Sequence, residues 1–185
     1  MEYLIKTDRL DLHPLSETDF DFIRTLNTRP EYFQYENEGA HNDDEIKKQF
    51  DGFLEGAKKL PNKGSIQWIV INNDVRIGEV HLWNWWEKTL EWEIGWHFLI
   101  EHWGKGFATE AAKAVLRYAF ANFRINRIMA CPNAANIRSI ALCERIGMIK
   151  EGQVREVRLL NGVYYDEAIF GILKREFFDN PLIVT

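Results

Sequence analysis

The sequence has little of what several protein classes need. Only two of its 185 residues are cysteines, Cys131 and Cys143, which argues against a disulfide scaffold and fits a reduced, cytoplasmic protein. No apolar run approaches the roughly 20 residues that a membrane helix needs, and no signal peptide is recognisable at the N-terminus. The histidines and cysteines show no metal-ligand spacing. We therefore predict no disulfide, membrane span or metal.

An excess of positive charge is also missing. The formal net charge of -5 disfavours nucleic acid, which usually requires a basic face, and favours encounter with a cationic partner. No repeat and no linker rich in Gly, Pro or Ser divides the chain, so we predict a single domain over residues 1–185.

Tryptophan, in contrast, is abundant. The chain has seven tryptophans, and four of them lie close together: Trp83, Trp85, Trp86 and Trp92. Aromatic residues normally pack in cores and interfaces, so a core role is the default interpretation. A substrate-site lining or a homodimer contact remains the alternative.

Hydrophobic periodicity predicts a mixture of strands and helices. Alternating or β-rich segments predict strands at residues 7–14, 65–71, 75–83, 90–100, 127–130, 154–160 and 164–173. Helical spacing and caps predict helices at residues 16–28, after Asn42, from Phe107 and at residues 136–145. Asn161-Gly162 predicts a hairpin turn. This order predicts an α+β fold around a largely antiparallel sheet.

A glycine-rich junction, EHWGKGFA, connects the strand that ends near Ile100 to the helix that begins near Phe107. Glycines allow tight turns, and a helix N-terminus adds free N–H groups and a positive dipole end, so together they can bind phosphate. An ordinary strand-to-helix turn, with no phosphate bound, could have the same sequence pattern. The spacing is neither that of a Walker loop nor that of a dinucleotide fingerprint.

A second segment, Asn136-Ile137-Arg138-Ser139, opens the short helix. Asparagine at such a position is usually just an N-cap, so this segment alone indicates no function.

The two segments together carry a resemblance. WGKGFATEAAKAVLRYAF followed by NAANIRSIALCERIGM resembles the GNAT superfamily of N-acetyltransferases, specifically its RimJ/RimL-like branch of ribosomal-protein N-acetyltransferases. TDRLDLHPL, IGEV, EIGWHF and LNGVYYDEAIFGIL fit as well, over about residues 7–176. The resemblance implies a mixed sheet of about seven strands, splayed in the middle and flanked by about four helices.

It also implies acetyl-coenzyme A (acetyl-CoA) as the acyl donor, bound between splayed strands at residues 91–100 and 127–131. The main chain of Phe98, Leu99 and Ile100 would pair with the pantetheine arm, Asn136 would bond to it, and Ser139 would lie near the sulfur. The implied pyrophosphate-binding residues are Trp103, Gly104, Lys105, Gly106, Phe107, Ala108 and Thr109.

Two positions depart from the family. Cys143 stands where many members carry a tyrosine general acid, and a thiol is a poor substitute unless its pKa is shifted, so we assign the acid role to Ser139. Arg158 stands where related ribosomal-protein acetyltransferases have a glutamate base. Glu156 lies nearby but reaches the same face only in one register.

For the base we favour Glu93, on the strand that would hold the acetyl group. Aromatic neighbours would raise its pKa by desolvation. Glu79 and His97 are the other candidates, and Glu93 could equally be a solvated surface residue. We expect the oxyanion near the N–H groups of Phe98 and Leu99.

The predicted acceptor is a primary amine. Tyr32, Tyr35, Glu36 and Trp83 are the candidate substrate residues, since acidic and aromatic side chains attract a cation, although a solvated loop would look similar. The resemblance points to the N-terminal amine of a ribosomal protein, while other relatives acetylate small amines such as polyamines. A protein that binds acetyl-CoA without catalysis remains the alternative, and homodimer formation stays open.

Overall fold

An eight-stranded sheet organises the described part of the chain. The computed structural model describes residues 3–36, 42–61, 63–86 and 90–180, except the side chains of residues 31, 32, 85 and 86. The strands are β1 (Ile5–Lys6), β2 (Asp11–Pro14), β3 (Ser65–Asn72), β4 (Val75–Trp86), β5 (Glu91–Phe98), β6 (Arg127–Ala130), β7 (Ile149–Leu160) and β8 (Val163–Leu173). The α-helices are α1 (Phe20–Thr28), α2 (Asp43–Ala57), α3 (Phe107–Asn122), α4 (Ile137–Arg145) and α5 (Lys174–Asp179).

The sheet opens between its two central strands. The strand order is β1-β2-β3-β4-β5-β6-β8-β7, and every neighbouring pair is antiparallel except β5 and β6. These two parallel strands pair only from Glu91 opposite Arg127 to Glu93 opposite Met129. Beyond Glu93 they separate, which confirms the predicted α+β fold with a splayed, largely antiparallel sheet.

The element counts differ slightly from the prediction. The described residues form eight strands and five α-helices, because β1 and α5 had no sequence signal long enough to detect. Residues 7–10 are a turn rather than part of the first strand, since the Thr7 amide donates to the Leu10 carbonyl at 2.9 Å. The predicted first helix begins with a short 3-10 turn at Glu17–Asp19.

Local sequence signals correctly predict the caps and turns. The Asn42 side chain caps α2 by accepting from the amides of Asp44 and Glu45, and Gly147 ends α4 in the left-handed region at φ 86°. Asn161 and Gly162 adopt φ 49° and 79°, as a tight hairpin turn requires. No helix in the described ranges is long and apolar enough to cross a membrane.

The sheet separates two layers of apolar packing because side chains alternate between its faces. On one face, Trp68, Val80 and Ile94 belong to the main core, which includes the buried side of α3. On the other face, Ile69 packs with residues of α1 and α2, such as Ile23 and Phe50. Beyond the register shift between β3 and β4, the cross-strand pairs of β4 and β5 on this second face are Glu79 with His97, His81 with Gly95 and Trp83 with Glu93.

The main core makes a direct stability prediction. Trp68 is fully buried, and its indole N–H donates to the Tyr3 carbonyl at 2.6 Å. We expect Trp68→Ala to lower the free energy of unfolding by about 3–5 kcal/mol in urea denaturation, because it leaves a large cavity. Trp68→Phe keeps most of the packing and should cost less. A loss below about 1 kcal/mol for Trp68→Ala would contradict this packing.

Candidate active site

The separation of β5 and β6 creates a cleft of about 1150 Å³. Its volume is slightly above the roughly 300–1,000 Å³ typical of ligand pockets. The cleft brings together most of the predicted site residues, namely Tyr35, Glu36, Phe98, Leu99, Ile100, Trp103, Gly104, Gly106, Phe107, Ala108, Thr109, Asn136 and Ser139. Lys105, Glu93 and Trp83 are not among its lining residues, and the side chain of Tyr32 lies outside the described part of the chain.

The predicted phosphate loop has the backbone that such a loop requires. Gly104 and Gly106 have φ 73° and 80°, a region that side chains with a Cβ rarely adopt. Gly106 is the N-cap of α3, and the helix begins at Phe107. The first amides of a 16-residue helix therefore face the cleft with the positive end of its dipole.

An arginine that sequence reasoning missed lies beside this loop. Arg9 donates to the Lys105 carbonyl at 3.1 Å, lies 4.8 Å from the centre of the Phe107 ring and pairs with Glu110 at 2.5 Å. These contacts hold a cation at the edge of the cleft. They join residues about a hundred positions apart, so no local pattern could have revealed them.

A second arginine, Arg138, also lines the cleft. The exposed Arg138 guanidinium stacks over the Trp103 ring at 4.9 Å from its centre. The Trp103 indole N–H donates to the Phe98 carbonyl at 2.7 Å, which fixes the ring at the end of β5. Trp103 therefore has a structural role at the end of β5 and holds the Arg138 guanidinium over its ring.

The main chain of β5 differs from the expectation in one respect. The Leu99 amide donates to the Ile77 carbonyl at 2.9 Å, so it faces β4 and not the cleft. The expectation that this amide faces an oxyanion is therefore wrong. Main-chain groups of an antiparallel strand alternate in direction, so those of Trp96 and Phe98 point toward the opening. Trp96 also lines the cleft and was missed by sequence reasoning.

Asn136 and Ser139 lie together at the start of α4. The Asn136 side-chain oxygen accepts from the Ser139 amide at 3.1 Å, so it acts as an N-cap. Both side chains are half-buried and line the cleft. The Ser139 hydroxyl remains available as a proton donor, whereas the Asn136 oxygen is engaged.

Neither cysteine has the properties of an acid or nucleophile. Cys143 is fully buried in the main core, and burial raises the pKa of its thiol to about 12. Burial, followed by the charges of Glu93 and Glu167, also raises the pKa of Cys131 to about 12. Both thiols therefore stay protonated near neutral pH.

Glu93 is the last residue of β5 that pairs with β6 before the strands part. Its side chain is half-buried, and burial is the main cause that raises its pKa to about 7. His81 and Arg158 oppose this increase, while Glu167 and Glu36 reinforce it. A carboxylate with a pKa near 7 is suited to accept a proton near neutral pH.

Glu79 is buried on the same face of the sheet and contacts two histidines. Its carboxylate lies 2.8 Å from Nδ1 of His81 and 2.5 Å from Nδ1 of His97. Burial would raise the pKa of Glu79, but the charges and hydrogen bonds of the two imidazoles outweigh it and lower the pKa to about 2. Such an acidic group is a weak base, which argues against Glu79 as the catalytic base.

The same three side chains have the chemistry of metal ligands, and their candidate atoms lie within 4.8 Å of one another. Two atoms bound tetrahedrally to one zinc ion would lie about 3.3 Å apart. The separations of 2.5 and 2.8 Å between carboxylate oxygen and imidazole nitrogen are shorter and match hydrogen bonds. The cluster is therefore best described as a hydrogen-bonded unit.

Arg158 of β7 is one of the charged groups that act on Glu93. It donates to Glu167 on β8 at 2.6 Å, to Glu36 at 3.3 Å and to the Cys131 carbonyl at 2.7 Å. The arginine thus joins the segment after α1 to β6 and β8. Glu156 is exposed at a bulge with φ 54° and does not line the cleft.

Trp92 and Trp83 of the tryptophan-rich segment have different surroundings. Trp92 is buried in the main core, in agreement with the default interpretation. Trp83 is half-buried, and its ring stacks on His81 with centres 4.7 Å apart. The side chains of Trp85 and Trp86 lie outside the described part of the chain.

Comparisons with known proteins agree with this geometry. The family model described as "Acetyltransferase (GNAT) domain" matches residues 9–149. The uncharacterised N-acetyltransferase p20 of Bacillus licheniformis is 33% identical over 176 residues, which cover 92% of this chain and 96% of that protein.

Two solved structures share the fold. The spermidine N-acetyltransferase of Vibrio cholerae, in complex with CoA and spermine, has a TM-score of 0.80 and 25% identity over 93% of this chain and 99% of that one. RimL, a ribosomal L7/L12 α-N-protein acetyltransferase in complex with coenzyme A, has a TM-score of 0.82 and 16% identity over 92% of this chain and 97% of that one.

The split sheet, the glycine loop at a helix N-terminus and these relatives define an N-acetyltransferase. The chain belongs to the GNAT family. The family assignment made from the sequence is confirmed, and RimL shares the fold.

Proposed function

We propose that this protein transfers the acetyl group of acetyl-CoA to a primary amine by direct attack of the amine on the thioester. The observation that carries the proposal is the position of Glu93, where β5 and β6 separate, together with a pKa near 7. These two features support Glu93 as the proton acceptor for an amine that attacks the thioester.

The donor would enter along the cleft with its pyrophosphate at the loop before α3. The left-handed Gly104 and Gly106 and the first amides of α3 supply N–H groups there, and Arg9 adds a positive charge. The main chain of Trp96 and the amide of Phe98, which do not pair with β6, would bind the pantetheine arm as an added strand would, whereas the Phe98 carbonyl already accepts from Trp103. These residues fit coenzyme A, which also occupies both fold neighbours described above.

The transfer itself needs three events that residues of this chain can perform. Glu93 removes a proton from the acceptor nitrogen, and main-chain N–H groups at the opening of β5 stabilise the negative oxygen. Ser139, at the first turn of α4, donates a proton to the departing sulfur and regains one from the acceptor nitrogen, which loses its second proton as the amide forms. The high thiol pKa values of Cys131 and Cys143 disfavour a covalent cysteine intermediate.

A cationic acceptor suits the part of the site around Arg158. Glu36, Glu93 and Glu167 surround one arginine, Arg158, so carboxylates outnumber cations there. An ammonium group would be attracted to this region. Both a polyamine and the N-terminal amine of a ribosomal protein meet this requirement, and the acceptors of the fold neighbours include both classes.

A thermal melt tests donor binding. Acetyl-CoA at a hundred times its dissociation constant should stabilise the protein by about 2.7 kcal/mol, which corresponds to an increase in Tm of roughly 5–10 °C. Adenosine, a nucleoside without the pyrophosphate, serves as the control and should give no shift in Tm. The absence of a shift at millimolar acetyl-CoA would contradict the proposed donor site.

A further inference from the structure

Two arginines that line the cleft, Arg138 and Arg145, form no ion pair within the described part of the chain. A guanidinium has five N–H donors. Arg145 uses one of them, from Nε to the Thr109 hydroxyl at 3.3 Å, and Arg138 donates no hydrogen bond to any described residue. The other arginines that line the cleft are each paired with a glutamate: Arg9 with Glu110 and Arg29 with Glu101. Arg138 and Arg145 therefore have donors available for an anion.

Both arginines lie on one face of α4. They are seven residues apart, which is almost two full turns of the helix, or about 10.5 Å along its axis. Ala141 and Leu142 lie between them in the sequence and line the cleft as well. The two guanidinium groups therefore border the same space.

The stability of α4 does not explain Arg138. The helix begins at Ile137, so Arg138 lies in its first turn, where a cation opposes the positive end of the helix dipole. Its side chain is exposed and stacks on the Trp103 ring, which holds the guanidinium at the cleft. An anion bound there would be attracted both by the arginine and by the helix dipole.

Arg145 connects this face of α4 to the start of α3. Thr109, which accepts its hydrogen bond, is the third residue of α3. Arg145 thus lies beside the helix start at which the pyrophosphate of the donor would bind. Acetyl-CoA carries one further phosphate, on the 3′ oxygen of its ribose, and no residue named so far binds it. Because that ribose is also bonded to the pyrophosphate, the two phosphate sites must be close together.

An exposed apolar side chain lies next to these cations. Ile137 lines the cleft, yet 75% of its surface is exposed. A ligand that has a flat ring beside a phosphate would cover it, and the adenosine 3′-phosphate end of coenzyme A has both groups. Inorganic phosphate would leave the isoleucine exposed.

We propose that Arg138 and Arg145 bind the 3′-phosphate of acetyl-CoA and thereby select it over its 3′-dephospho form. The inference rests on the proposed function, in which acetyl-CoA is the donor. A phosphate monoester carries a charge of about −1.5 to −2 near neutral pH, and arginine forms bidentate, charge-assisted hydrogen bonds with it. The two arginines act on donor binding and not on the transfer of the acetyl group.

Calorimetry with acetyl-CoA and 3′-dephospho-acetyl-CoA tests this assignment in the wild type, Arg138→Gln, Arg145→Gln and the double variant. The wild type should bind acetyl-CoA about ten- to a hundredfold more tightly than the dephospho form, since hydrogen bonds to charged groups have this effect on affinity. The double variant should lose this preference because its dissociation constant for acetyl-CoA rises, while that for the dephospho form changes little. Each single variant should lose part of the preference, and kcat at saturating donor should stay at the wild-type value.

Arg124→Gln is the matched control, because Arg124 is exposed and is not among the cleft-lining residues. It removes the same charge and should keep the wild-type preference. The side chains of Arg138 and Arg145 are also exposed, so the variants should fold, and a melt without ligand checks this.

Two results would overturn the inference. One is an equal loss of affinity for both donor forms in the double variant, which would mean that the arginines act on the pyrophosphate or on the loop. The other is a wild type that binds both forms equally well. A wild type that binds neither form would refute the proposed donor site itself, so the failure of the proposed function gives a different result.

Discussion

Glu93→Gln should reduce kcat/KM for the acceptor amine by about 10²–10⁴-fold, the range typical of a general base. The amide has nearly the same shape as the carboxylate but cannot accept a proton. In the wild type, kcat/KM should rise with pH and level off above about 7, because Glu93 must be ionised to act and its pKa is about 7. In the variant this rise of kcat/KM with pH should disappear.

The matched control is Glu144→Gln on α4, a glutamate that is exposed and is not among the cleft-lining residues. It should have wild-type kinetics. Glu93→Gln should also retain the Tm shift with acetyl-CoA, since the loop before α3 is unchanged. Full turnover with an unaltered pH profile in Glu93→Gln would refute the assigned base.

Gly106→Val should weaken acetyl-CoA binding by roughly ten- to a hundredfold. Gly106 has φ 80°, and a β-branched residue in this region is strained by about 1–3 kcal/mol. Relief of that strain would rotate the amides at the start of α3 away from the pyrophosphate. The dissociation constant, measured by calorimetry, should rise while kcat at saturating donor changes little.

Gly162→Val provides an unusually close control. Gly162 lies in the β7–β8 hairpin turn with φ 79°, and no atom lies within 4 Å of the position of a Cβ, while at Gly106 the nearest atom is Nη2 of Arg9 at 3.4 Å. The variant should lose stability to a similar extent but keep the wild-type affinity for acetyl-CoA. Equal affinity in the two valine variants would mean that the loop before α3 does not bind the donor.

The sequence predicts those parts of the site that depend on local pattern. The glycine loop, the start of α3 and the Asn136 cap are each contained in a few consecutive residues, and all three lie where they were expected. The alternation of β5 also correctly separates the buried Trp92 and Ile94 from the face that carries Glu93.

The features that the sequence could not predict depend on long-range register. Arg9 reaches the loop only because the N-terminal segment packs beside α3. The Leu99 amide is occupied because Ile77 lies opposite it in the sheet, which no local pattern shows. Glu79 and His97 meet as a cross-strand pair, and that pairing requires knowledge of how β4 and β5 align.

The most direct test of the account is amine-dependent release of the CoA thiol. Purified protein with saturating acetyl-CoA should release thiol only when a primary amine is added, with spermidine and a peptide that has a free α-amine as the first two acceptors. Glu93→Gln should release at least about a hundredfold less. Binding of acetyl-CoA without thiol release from any primary amine would contradict the account and identify a protein that binds the donor without catalysis.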